Sequence, residues 1–369
     1  MSKVCVITTA HGAFDDRIFY KECMSLLKAG FVVSLIAPHD KNDTVNGINI
    51  IALPKAKNRF QRMVIHSLKA LYLALKENAD VYHLHDPELL LLGVFLKIFK
   101  QKIVIYDVHE DYGTKILSKD WISKEVRTLF SRLIVALELL SANKFDYILT
   151  ADSHIRKKFN SKKSAVIGNY PPLGFMSDTQ KHENNPLKVI YIGGIARDRG
   201  SHIMLQAMKH LVGDNIELHL LGELKDDLDI SAFSGVNVVY YGMVPWQEVS
   251  KHLANADVGL LLLQPTPSYI NCTGEGVIKL FEYMTMKLPV VVSDFPALNR
   301  LISEIECGIC VDPTDPMKIA NVLRYLNCNP DIREEMGKKG KQAVMNKYNW
   351  ENESKKLIEV YKQFNLAAK

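Results

Sequence analysis

"YIGGIARDRGSHIML", residues 191–205, runs from aliphatic strand residues through two glycines and two arginines into a helical apolar pattern. Gly193 and Gly194 allow a sharp backbone turn, and Arg197 and Arg199 lie inside the break. A strand, a glycine turn and a helix N-terminus direct several N–H groups at one point, and a nearby cation strengthens the pull on an anion. The pattern predicts an anion-binding turn followed by a helix from about Ser201.

The same alternation extends in both directions. Downstream, "IELHLLG", "VNVVYYG", "DVGLLLL", "PVVVSD" and "CGICVDP" are separated by amphipathic stretches; upstream, "KVCVITTA", "VVSLIAP", "DVYHLHD", "KIVIYDVHE" and "FDYILTAD" repeat the theme. Continuous apolar strands between helices mark a parallel sheet covered on both faces. With 369 residues the chain exceeds one ordinary core. A polar, turn-rich stretch at 174–186 separates the two runs. The expected organisation is an α/β chain with a doubly wound domain at 1–173, a linker at 174–186 and a second domain at 187–350. A last helix, 351–366, carries Leu357, Val360 and Tyr361 at core spacing and is expected to pack back on the first domain. Two such domains place a ligand cleft between the carboxyl ends of their sheets.

Composition narrows the function classes. The chain is 47% hydrophobic and 24% charged, so it is globular rather than disordered, and a net charge of +5 is too small to argue for nucleic acid. Six scattered cysteines form no disulfide framework, and Cys307-x-x-Cys310 lacks a second ligand pair and reads as a turn before a strand. "MSKVCVITTAHG" enters a strand without a signal-peptide pattern, and apolar runs such as "ELLLLGVFLKIF" are too short to span a bilayer. The expected location is the cytoplasm, or the inner membrane face. The second possibility rests on "LPKAKNRFQRMVIHSLKALYLALKE", where Lys55, Lys57, Arg59, Arg62 and Lys69 alternate with apolar residues; it reads equally as an anionic-lipid contact or an ordinary surface helix.

Several blocks occur together in order: "YIGGIARDRG", "GEGVIKLFEYMTMKLPVVVSDFP", "FDYILTAD", "GNYPP", "DDRIFYKE", "HDPEL" and "YDVHED". They resemble the GT-B glycosyltransferases, within them the retaining family 4, and there the bacterial surface-polysaccharide transferases. The resemblance implies two Rossmann-like domains facing a central cleft. It implies transfer from a nucleoside diphosphate sugar, UDP before GDP, to a hydroxyl of a saccharide or polyprenyl-linked saccharide, with retained anomeric configuration. It implies no required cofactor and no divalent metal. Two rivals share the fold: an epimerase acting on UDP-N-acetylglucosamine, and a non-catalytic nucleotide- or carbohydrate-binding subunit.

By the same resemblance, Gly193, Gly194 and Arg199 form the diphosphate turn, and Glu282, at the opening of a helix, takes the ribose hydroxyls. A carboxylate accepts two hydrogen bonds from a vicinal diol. The family has a further cation where Gly194 stands, and Lys279 is expected to replace it in preference to Arg197, because cations speed departure of a diphosphate. The family's second acid falls on Gly274, with Glu275 as its neighbour. In the first domain, Gly12 matches the loop facing the transferred group, with Asp16 and Arg17 as acceptor contacts or helix caps. His109 matches a strand-end histidine beside the donor sugar, oriented by Glu110 and Asp111; Asp16 and Glu110 are the bases an inverting reaction would require. His83, His85 and Asp86 look like metal ligands, but H-x-H on a strand has no third ligand nearby in sequence.

Overall fold

The computed structural model describes residues 1–118, 123–175, 185–225 and 235–366. It comprises two compact units, one of Met1–Asn169 with the segment from Trp350, the other of Tyr170–Asn349. The boundary falls earlier than the expected 173. Tyr170 meets Phe281 and Tyr348 edge to face, and Phe175 is buried beside them, so both belong to the second unit's core. Most of the expected linker, 176–184, lies outside the described residues.

The first unit holds β1 (Lys3–Ile7), β2 (Val32–Pro38), β3 (Asp43–Val45), β4 (Ile48–Leu53), β5 (Val81–Leu84), β6 (Ile103–Val108), β7 (Tyr147–Thr150) and β8 (Ser164–Val166). Their order is β3-β4-β2-β1-β5-β6-β7-β8, parallel except for the β3–β4 pair. Val4 to Ile7 and all of β5 are buried, as expected when helices cover both faces. The chain reverses direction across the sheet between β1 and β5, so the loops leaving those strands are where an open α/β sheet takes its ligands.

The final helix, Trp350–Lys362, belongs to this unit. Leu357, Val360 and Tyr361 enter its core. Trp350 Nε1 donates to Ser25 Oγ at 2.9 Å, and the Gly168 N–H donates to Glu353 at 2.9 Å.

The second unit is an all-parallel sheet of β9 (Leu187–Ile192), β10 (Ile216–Leu221), β11 (Val238–Gly242), β12 (Val258–Leu261), β13 (Val290–Ser293) and β14 (Gly308–Val311), ordered β11-β10-β9-β12-β13-β14. Its reversal lies between β9 and β12, at the turn that opened the sequence reading. Among the described residues no helix is long and apolar enough to cross a membrane.

Leu357 is fully buried, so Leu357→Ala is expected to cost about 2–5 kcal/mol. Urea unfolding followed by the fluorescence of the adjacent Trp350 measures that loss.

Candidate active site

After β9 the backbone passes Gly193 and Gly194, makes a single helical turn over Arg197–Arg199 and starts the helix Ser201–Lys209. Gly200 between them has φ +82°, and a Cβ there would lie 2.2 Å from the Leu262 carbonyl oxygen, so only glycine lets the turn close against β12. Arg197 is exposed, and its carbonyl accepts from the Gly200 N–H.

Arg199 and Lys279 converge on the glycines. A Cβ on Gly193 would sit 2.8 Å from Lys279 Nζ; one on Gly194 would sit 3.1 Å from an Arg199 nitrogen and 3.0 Å from Lys225 Cε. Tyr191 ties the group together: its hydroxyl donates to the Gly194 carbonyl and accepts from Lys279 Nζ, each at 2.9 Å. Lys279 also lies 4.3 Å from the centre of the Tyr191 ring. Burial and the neighbouring Arg199 push the Lys279 ammonium down to about 7, against the pull of Glu282 and Asp198. Burial likewise pushes the Tyr191 phenol up to about 12, with Arg199 opposing. The Arg199 guanidinium stays charged, facing the Tyr269 and Tyr191 hydroxyls.

Tyr191, Lys225 and Tyr269 are not among the site residues expected from the sequence. Tyr191 offered one signal, a hydroxyl in an otherwise aliphatic strand; Lys225 arrives through a bridge between Ile195 and Leu224 that no local pattern announces.

Lys279 and Glu282 lie one turn apart on the helix Ile278–Thr285. Glu282 does not open this helix as expected. The helix already starts at Ile278, four residues before Glu282, which puts the Glu282 carboxylate in the second turn, 4% exposed. Glu275 precedes the helix and accepts from Thr273 Oγ1 at 3.1 Å. At Gly274 φ is +89°, and a Cβ would meet Leu301 at 2.9 Å and Leu298 at 3.2 Å. An acidic side chain there would be strained and aimed into leucines.

In the first unit several expectations need correction. Arg17 is no acceptor contact: it is buried, donates to Asp107 Oδ2 through two nitrogens at 3.2 and 2.9 Å and to the Ile167 carbonyl at 2.9 Å, and pairs with Glu22. Asp15 caps the segment Asp16–Cys23 by accepting from the Arg17 and Ile18 N–H groups. Asp16 pairs with Lys21 at 2.6 Å. Gly12 is exposed, with nothing within 4 Å of where a Cβ would be.

His109 follows β6, but Glu110 and Asp111 do not orient it. Glu110 pairs with Lys115, whereas Asp111 caps the helix Tyr112–Leu117 and pairs with Lys158. The ring is held by His85 Nδ1 at 2.8 Å and lies 3.5 Å from Asp107. Asp86 turns away from His83 and His85 and accepts from Thr8 Oγ1 at 2.8 Å and the Thr9 N–H at 2.6 Å, fixing the loop after β1.

Restoring an acid by Gly274→Asp is therefore expected to destabilise the protein by about 1–3 kcal/mol and to leave nucleotide affinity no better. Paired thermal unfolding and nucleotide titration check both halves.

Residues 175–343 match the family described as "Glycosyl transferases group 1". An uncharacterised glycosyltransferase of Methanocaldococcus jannaschii is 24% identical, covering 87% of this chain and 86% of its own. The Staphylococcus aureus capsular polysaccharide biosynthesis glycosyltransferase CapM is 21% identical over 80% of each. Anabaena HepE, solved in complex with UDP and glucose, superposes with a TM-score of 0.74 at 12% identity over 98% of this chain and 100% of that one. Residues 175–343 thus match a group 1 glycosyltransferase domain, in a chain with the GT-B fold of two Rossmann-like units.

Proposed function

We propose that this glycosyltransferase moves a hexosyl or N-acetylhexosaminyl group from a UDP-sugar to a hydroxyl of a saccharide or lipid-linked saccharide, with retained configuration, in cell-surface polysaccharide assembly. The observation that carries this reading is the convergence of Arg199 and Lys279 on the Gly193–Gly194 turn. Two cations at a strand end, one of them pushed down to about 7 by burial and by the other, fit a diphosphate. The relatives add weight: CapM is a capsular polysaccharide enzyme, and HepE was solved with UDP.

In this reading the acceptor oxygen bonds to the anomeric carbon on the face the nucleotide leaves. The bond from that carbon to the β-phosphate oxygen breaks, its electron pair stays on the phosphate, and that oxygen takes the acceptor proton. Arg199, Lys279 and the N–H groups of the turn stabilise the growing charge, Glu282 or Glu275 engages donor hydroxyls, and His109 contacts the sugar. No protein nucleophile is needed, and a metal is not part of the scheme.

The first unit also suits a membrane face. Phe60, Leu68 and Tyr72 are exposed on one helical stretch, Ile98 and Phe99 at the end of the next, and Leu129 and Phe130 on the helix Lys124–Ala142. Lys69, Lys76, Lys100 and Arg132 are exposed on the same helices. Apolar side chains with basic neighbours favour an anionic lipid surface, where a lipid-linked acceptor would reside.

Calorimetric titration is expected to show UDP binding more tightly than GDP or ADP. Arg199→Ala or Lys279→Ala should weaken UDP about tenfold to a hundredfold, as for loss of a charged hydrogen bond. Absence of binding by all three nucleotides contradicts the reading. Flotation with vesicles containing phosphatidylglycerol is expected to carry the protein upward, and Leu68→Asp combined with Leu129→Asp to leave it at the bottom.

A further inference from the structure

Beneath His109 the first unit buries a second group of polar side chains that the transfer scheme does not use. Glu22, His83, His85 and Asp107 each bring one nitrogen or oxygen within 4.8 Å of the others. All four side chains are fully buried. No third ligand lies near the H-x-H in sequence, but the fold supplies two, Glu22 from the segment after β1 and Asp107 from β6.

The hydrogen bonds around the cluster leave its centre unsatisfied. Arg17 covers one edge of Asp107 and pairs with Glu22 at 2.9 Å. Glu22 Oε2, Asp107 Oδ1, His83 Nε2 and His85 Nε2 are buried without a hydrogen-bond partner, and Glu22 Oε1 has the Arg17 ion pair. The rings are engaged on their other sides, His83 Nδ1 by the Tyr361 hydroxyl at 2.9 Å and His85 Nδ1 by His109 at 2.8 Å. In the tautomer where each ring donates through Nδ1, both Nε2 lone pairs face Glu22, and that of His83 also lies 4.0 Å from Asp107 Oδ2. His85 Nε2 is 3.4 Å and His83 Nε2 3.9 Å from Glu22 Oε2. Ligand atoms on one tetrahedral ion with bonds near 2.0–2.1 Å lie about 3.4 Å apart.

Charge points the same way. With both carboxylates ionised, as metal ligands must be, the cluster sets two negative charges against one guanidinium, and a buried negative charge calls for a cation; in the free protein, burial and Asp107 hold the Glu22 carboxyl well above the usual carboxylate range. Hydrogen bonding of the non-ligating ring nitrogen is the usual support for a metal-binding histidine.

We propose that Glu22, His83, His85 and Asp107 form a structural site for one divalent transition-metal ion, zinc before the others, because two imidazoles and two carboxylates suit it. The ion would join the segment Asp16–Cys23 to β5 and β6 and, through His83 and Tyr361, to the final helix.

The test is elemental analysis of the full-length protein, as purified and after dialysis against zinc and then against cobalt. The expected result is about one ion per chain, a cobalt spectrum with tetrahedral d–d bands, and a lower melting temperature after removal by a chelator. His85→Gln and Glu22→Gln should each reduce the content well below one. Wild-type protein that retains neither metal and melts at the same temperature with or without chelator overturns the proposal and leaves a proton as the neutralising cation. Full metal content in both variants also overturns it, because the ion would then lie elsewhere.

Discussion

Two like charges held over one glycine turn repel each other, and the second unit is built so that they cannot separate. Arg199 is fixed by the helical turn after β9 and Lys279 by its own helix, with the Tyr191 hydroxyl between Lys279 and the Gly194 carbonyl. Relief comes from losing the Lys279 proton or from gaining an anion. Everything that aims the two cations at one point follows from the parallel sheet: β9 and β12 deliver their carboxyl ends side by side where the chain reverses, and Gly200 lets the loop press against Leu262.

The first unit buries acids in a core, where burial pushes the Glu22 carboxyl well up while Arg17 holds Asp107 well down. Arg17 is spent inside on Asp107 and Glu22, which explains why a residue near a strand-end loop is closed to an acceptor. His109 gains its orientation from this buried layer through His85 rather than from the acids that follow it in sequence.

The alternation of strands and helices was legible because apolar runs with period-free burial have few other solutions, and the return of the last helix was legible from Leu357, Val360 and Tyr361. The turn at 193–200 was legible because glycine and arginine placement there is a local matter. What escaped the sequence was long-range. Asp107 lies ninety positions from Arg17, and nothing local announces that they pair. Glu22 and Asp107 reach His83 and His85 only through the order of strands. Lys225 enters by a bridge, and Gly274 takes a left-handed conformation that makes an acid unsuitable rather than missing. Glu282 falls in the second helical turn because the helix starts at Ile278, earlier than the motif suggests.

Under the proposed function, Lys279 is the cation whose charge a bound diphosphate restores. Its ammonium is held near 7 in the free protein, so at pH 8 most molecules carry it neutral; a bound diphosphate favours the charged form and raises that value. Titration of UDP at pH 8 in two buffers of different ionisation enthalpy should therefore show uptake of close to one proton per UDP bound, and Lys279→Met should abolish the uptake. UDP binding with no proton exchange at pH 8, or with the same uptake in the Met variant, would contradict the account.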